Sequence, residues 1–182
     1  CERLLFANPY PCTKWFWSKA VELNPEDSVT WHNLGTDCHG ATVHGRELKS
    51  KECYSRAIEA NPQSDADWDL LGASGGGSVH GREYTAAECF GRAIELKPTS
   101  AEYWRNLGRK GGGTVDGREY TKTECLARAE VLERATPQYW KNLGDKGGGT
   151  VQGRAYTATE CHAHAVELDP ENPFFWKNLG DK

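Results

Sequence analysis

Methionine is absent from all 182 residues and the chain opens on Cys1, so it reads as a processed product or a piece of something longer. No apolar run approaches the ~18 residues of a membrane span, and no secretory leader pattern is present. Neither sign of charge dominates. A net charge of −4 argues against a dedicated binder of nucleic acid or anionic membrane. No Asn-x-Ser/Thr sequon occurs, so N-glycosylation is not expected.

Constellations that carry chemistry are equally scarce. The triple glycines invite comparison with a phosphate loop, but they lack the G-x-x-x-x-G-K-[ST] spacing and its lysine. Cys38-His39 with His44, and Cys161-His162 with His164, each fall short of a four-ligand metal set. No Ser/His/Asp group or carboxylate pair repeats or clusters. The chain is therefore expected to be no enzyme, with no cofactor and no metal.

What is present is periodicity. Cys53, Cys89, Cys125 and Cys161 stand 36 residues apart, as do Trp68, Trp104, Trp140 and Trp176; Trp31 lies 37 before Trp68. Around them run WHNLG, WDLLG, WRNLG, WKNLG and WKNLG, and the pairs Gly45-Arg46, Gly81-Arg82, Gly117-Arg118 and Gly153-Arg154 keep step. The chain is a tandem array.

Each unit carries two helix signals. Asp27, Ser64, Ser100, Thr136 and Asn172 precede the Trp segments as N-cap residues, with Pro137 and Pro173 at the first helical position. The second helix opens on a capping box in Thr85–Glu88, Thr121–Glu124 and Thr157–Glu160 and continues amphipathically; Pro25, Pro62, Pro98 and Pro170 end it. Helices of roughly ten residues are unstable alone in water and must stack on one another. The glycine phrase between them reads as an ordered, hairpin-like turn with positive φ at the glycine after His44, His80, Asp116 or Gln152. The five tryptophans are expected to form one buried row.

W-x-N-L-G, then Ala86, Phe90 and Ala93 at helical spacing, then Pro98, resembles the tetratricopeptide repeat (TPR) over essentially the whole chain. The unit is 36 residues rather than 34, glycine replaces the aromatic at the end of the first helix, and Arg134 stands where Pro98 stands one unit earlier. The resemblance implies an all-α fold: an α-solenoid, a right-handed superhelix of five helix–loop–helix units in circularly permuted register, forming a single domain over 1–182. The expected helix pairs are 28–60, 64–96, 100–133 and 136–168, with half-repeats at 13–23 and 172–181. It also implies a non-catalytic scaffold binding a peptide or protein in a concave groove, at Asn33 beside His32, Arg105, Asn106, Lys141, Asn142, Lys177 and Asn178.

The two ends complement each other. FFWKNLGDK (Phe174–Lys182) is a first helix without its second, and WSKAVEL (Trp17–Leu23) a second helix without its first. Either the chain is a window on a longer array, or copies stack head to tail into an open filament. The second is preferred, with Leu4, Leu5, Phe6, Trp15, Trp17, Phe174, Phe175 and Leu179 as the self-association surface. The rival is a monomeric groove-binding module. Partners are thus the chain itself or a peptide or protein, with no nucleic acid and no membrane insertion.

The four cysteines of the ladder share the core phase. Stacked layers ~8–10 Å apart are too distant for a disulfide, so these four are expected to stay buried thiols. Any disulfide involves Cys1, Cys12 or Cys38, with Cys1–Cys38 favoured. Such a bridge would imply an extracellular or surface location, and its absence a cytoplasmic one.

Overall fold

A computed structural model describes residues 13–38 and 40–180. Among these, ten helices alternate with four two-stranded antiparallel hairpins. The chain is mostly helical but not all-α, because each glycine phrase is a strand pair. The order runs α1 (Thr13–Leu23), α2 (Ser28–Cys38), β1 (Gly40–Val43), β2 (Arg46–Lys49), α3 (Ser50–Ala60) and α4 (Asp65–Ala73). It continues with β3 (Gly76–Val79), β4 (Arg82–Thr85), α5 (Ala86–Leu96), α6 (Ala101–Arg109), β5 (Gly112–Val115), β6 (Arg118–Thr121) and α7 (Lys122–Arg134). The last elements are α8 (Pro137–Asp145), β7 (Gly148–Val151), β8 (Arg154–Thr157), α9 (Ala158–Leu168) and α10 (Pro173–Gly180). Two compact units result, Cys1–Leu126 and Ala127–Lys182.

The hairpins explain why three glycines recur. Val79 pairs with Arg82, leaving His80 and Gly81 as a two-residue loop at φ 48° and 76°. Positive φ at both positions is the type I′ turn, whose twist matches the strands it joins. His44, Asp116 and Gln152 take the same left-handed conformation. Within the phrase Gly75–Gly77, the second residue sits at φ 88°, and a Cβ there would stand 2.2 Å from the carbonyl oxygen of Tyr84. The third has a different reason: its Cβ would lie 2.9 Å from Leu71 Cδ1.

The second helices start as their sequence requires. Thr85 Oγ1 accepts from the Glu88 amide at 3.2 Å, and the Glu88 carboxylate accepts from the Thr85 amide at 2.8 Å. Thr121 with Glu124 and Thr157 with Glu160 repeat both bonds. At α3 only half of the box remains, Glu52 accepting from the Lys49 amide, because lysine offers no acceptor. The backbone bond is the first cause holding Glu52, Glu88, Glu124 and Glu160 below the usual carboxylate range.

First helices are capped less uniformly. Ser64 and Thr136 accept from the amides of Asp67 and Tyr139, whereas Ser100 caps by position without a side-chain bond. Each Trp then does two things. Its indole N–H donates to the carbonyl six residues back, of Pro25, Pro62, Pro98, Arg134 or Pro170 in turn, at 2.7–3.1 Å. Its ring enters the core in four of the five cases; Trp176 is the exception at 53% exposed.

Helix pairing depends on the glycine of W-x-x-L-G. A Cβ on Gly72 would stand 2.8 Å from the Phe90 ring, so glycine lets α4 approach α5. Tyr54 fills the same niche against Gly35, and His162 against Gly144. In the first unit the hairpins also rest on the preceding second helix, β1 on α1, β3 on α3 and β5 on α5. The tip amides of His44, His80 and Asp116 donate to the carboxylates of Glu22, Glu59 and Glu95 on those helices, at 2.8–3.1 Å.

Candidate interaction surfaces

Several polar positions of the first helices are engaged within the fold. In the first unit, His32 donates from Nδ1 to Asp67 at 2.7 Å and Asn106 donates to Asp69 at 3.0 Å. Tyr103 adds a third bond of this kind, donating to Asp65 at 2.7 Å. Each joins one first helix to the next. Asp67 and Asp69 are buried; burial raises the Asp69 carboxyl above its usual range, against the lowering effect of the Asn106 bond. Desolvation followed by the Asp65 bond pushes the Tyr103 phenol up as well. Asn33 and Arg105 are half-buried on the same helices. The three aspartates were not legible as a set, because Asp69-Leu70 looks like a break in the basic-Asn pattern rather than the acceptor half of it.

In the second unit, three of the four groove residues have partners. Lys141 pairs with Asp145 at 2.5 Å and sits 5.3 Å from the Phe174 ring centroid. Asn142 accepts from Gln138 at 2.7 Å, and Asn178 donates to the Phe174 carbonyl at 2.9 Å. Lys177 is exposed.

The aromatic residues near the two termini divide between core and surface. Leu4, Leu5 and Phe6 lie outside the described residues. Trp15 and Phe16 are exposed, while Trp17 packs against the cluster of Val21, Trp31, Leu34, Val43, Cys53 and Ala57 and donates to Asp37 at 3.3 Å. On α10, Phe174 is exposed. Phe175, expected at the association surface, is instead 5% exposed and belongs to its own unit's core with Trp140, Val151, Cys161, Ala165 and Val166. Leu179 packs on the same cluster. Trp176 takes the place at the surface that Phe175 vacates.

The four ladder cysteines are fully buried thiols. Burial is the first cause raising Cys125 and Cys161 and pushing Cys89 up to about 12, so these three offer no thiolate near neutral pH. Cys1 and Cys12 lie outside the described residues, as does the side chain of Cys38. No described helix is long and apolar enough to cross a membrane.

The Gly-Arg pairs acquire a role that spacing alone did not suggest. Tyr84, Tyr120 and Tyr156 set their rings edge-on to Trp68, Trp104 and Trp140, each at 4.9 Å between centroids. Over the ring of each Tyr also lies Arg82, Arg118 or Arg154, 4.5–4.6 Å from its centroid. The first two of these arginines also reach the capping glutamates Glu88 and Glu124, at 3.3 and 3.2 Å. One stack thus ties hairpin, first helix and second-helix cap together. No protein-family model and no curated protein matches this sequence.

Proposed function

We propose that the chain is a non-enzymatic structural and interaction protein, a TPR-like α-solenoid that stacks head to tail on copies of itself into a filament or longer superhelix. The observation that carries this reading is Trp176. Its ring is 53% exposed, while the tryptophans at the equivalent positions of earlier repeats are buried beside a hairpin and a second helix. The sequence of α1 is that of a second helix, and it carries Trp15 and Phe16 exposed. A copy's α1 supplies what another copy's α10 leaves uncovered. Exposed aromatic groups of this size are a characteristic component of protein interfaces.

The rival, a monomeric scaffold holding a peptide in its groove, is less well supported. His32 and Asn106 already donate to buried aspartates of the neighbouring repeat, which removes two of the donors such a peptide would use. An extracellular or surface location remains tied to a disulfide among Cys1, Cys12 and Cys38.

Light scattering across a concentration series, with electron microscopy of the same samples, tests the proposal. Assemblies should grow with concentration, and Phe174→Asp with Trp176→Asp should abolish them while the far-ultraviolet circular dichroism stays unchanged. A chain that remains monomeric at every concentration, or a double variant that assembles as before, would overturn it.

A further inference from the structure

The first repeat lacks one member of the stack that the others share. Leu48 occupies the register position of Tyr84, opposite Ala41 where Tyr84 faces Gly77. Among the described residues, Leu48 rather than a phenol ring therefore packs on the cluster that holds Trp31, and Arg46 has no tyrosine ring to cover. At this place a cleft of about 590 Å³ opens, lined by Trp31, Leu48, Val21, Arg46, Arg56 and His80 among others. That size lies within the usual range for small-molecule sites. The floor is apolar, and the guanidinium groups at its rim are already balanced: Arg46 pairs with Glu52 at 2.8 Å and Arg56 with Glu59 at 2.9 Å.

We infer that this cleft is a binding site for a neutral phenol, the tyrosine side chain of a partner peptide, seated between Trp31 and Arg46. The chain itself identifies the ligand chemistry. Three times over, the equivalent place holds a tyrosine ring in contact with both a Trp and an Arg, at nearly constant separations. An edge-to-face aromatic contact and a cation over a ring both favour an aromatic guest over an aliphatic one of equal area. Because both arginines keep carboxylate partners, the site has no unbalanced charge to recruit an anion.

N-acetyl-tyrosinamide is the probe, and the indole N–H resonance of Trp31, assigned by its loss in Trp31→Phe, is the reporter. The probe should shift that resonance saturably with half-saturation in the millimolar range, the order set by the few contacts a single side chain makes. N-acetyl-leucinamide should not. Leu48→Tyr places the missing ring in the cleft and should weaken the probe at least tenfold. Its folding is checked by an unchanged or raised melting temperature. Tyr84→Leu should open a second site, seen at the Trp68 indole. Absence of a saturable shift, equal response to the leucine probe, or undiminished binding to a folded Leu48→Tyr would each refute the site.

Discussion

Trp140 donates its indole N–H to the carbonyl oxygen of Arg134 at 2.9 Å, the same bond that Trp104 makes to Pro98. The acceptor is a backbone carbonyl, so it survives a change of side chain. Proline at this position stops the preceding helix but is not what the indole recognises. Where Arg134 replaces it, α7 runs to 13 residues against 11 in α5, and the latch still closes. Replacing Trp104 by Phe should cost about 1 kcal/mol, mostly from the lost hydrogen bond to the Pro98 carbonyl. Replacing it by Ala should cost about 3–5 kcal/mol, because a cavity is added to the lost burial. Equilibrium urea unfolding of the two variants separates the contributions, and equal losses would remove the latch from the account.

The turn residues allow a gain rather than a loss. Gln152 is held at φ 50° without the short side chain that makes this conformation easier for Asn and Asp. Gln152→Asn should stabilise the chain by about 0.5–1 kcal/mol, read as a rise in the unfolding midpoint. Gly153→Ala, at φ 80°, should lower it by more than 1 kcal/mol, roughly the strain of placing a Cβ there. If both substitutions proved neutral, the hairpin would not be a rigid part of the fold.

Helices were legible in the sequence because their signals are local: a capping Thr, a Glu three residues on, and an apolar face. The strands were not. Each is four residues long, and GGTV begins with two glycines, the residue least suited to a strand by propensity. What makes it a strand is the type I′ turn beside it and Leu107 and Tyr120 packed around it, which are relations of shape rather than of pattern. The groove residues were found as positions, but the bonds of His32 and Asn106 to the neighbouring repeat were not, since a polar side chain open to a ligand and one bonded within the fold look alike in one dimension. Asp65, Asp67 and Asp69 carry the difference, and all three fall in a single helix.

His162 marks a fault in an otherwise repeated niche. It occupies the place of Tyr54 and Phe90 beneath the W-x-x-L-G glycine, is buried, and leaves Nδ1 without a hydrogen-bond partner. A buried polar atom of this kind costs about 1–3 kcal/mol. His162→Phe restores the residue used against Gly72 and should stabilise the chain by about 1 kcal/mol or more. Gly144→Ala should have the opposite effect, because its Cβ would stand 2.7 Å from the His162 ring. Thermal unfolding of both variants checks this, and a destabilised His162→Phe would mean that the imidazole has a partner the niche requires.

Acid should unfold the chain through its helix caps. Glu52, Glu88, Glu124 and Glu160 are all held below their usual value, chiefly by the backbone N–H of the residue three before. A carboxylate with a lowered folded pKa adds stability that is complete above its unfolded value, near 4.5, and is lost as the pH falls through the folded one. The melting temperature should therefore be flat from neutrality to about pH 5 and fall below it. Asp69 acts in the opposite sense: burial raises it, so its ionised form opposes folding and its protonation on acidification relieves that cost. Combining Glu88→Gln, Glu124→Gln and Glu160→Gln should lower the melting temperature at pH 7 and reduce the acid slope, since Gln still accepts from the Thr amide but has no proton to take up. Thr85→Ala, which removes the other half of one box, should cost ~1 kcal/mol at pH 7 with little change in slope. An acid transition of undiminished steepness in the triple variant would assign it to other carboxylates and leave the boxes a purely local role.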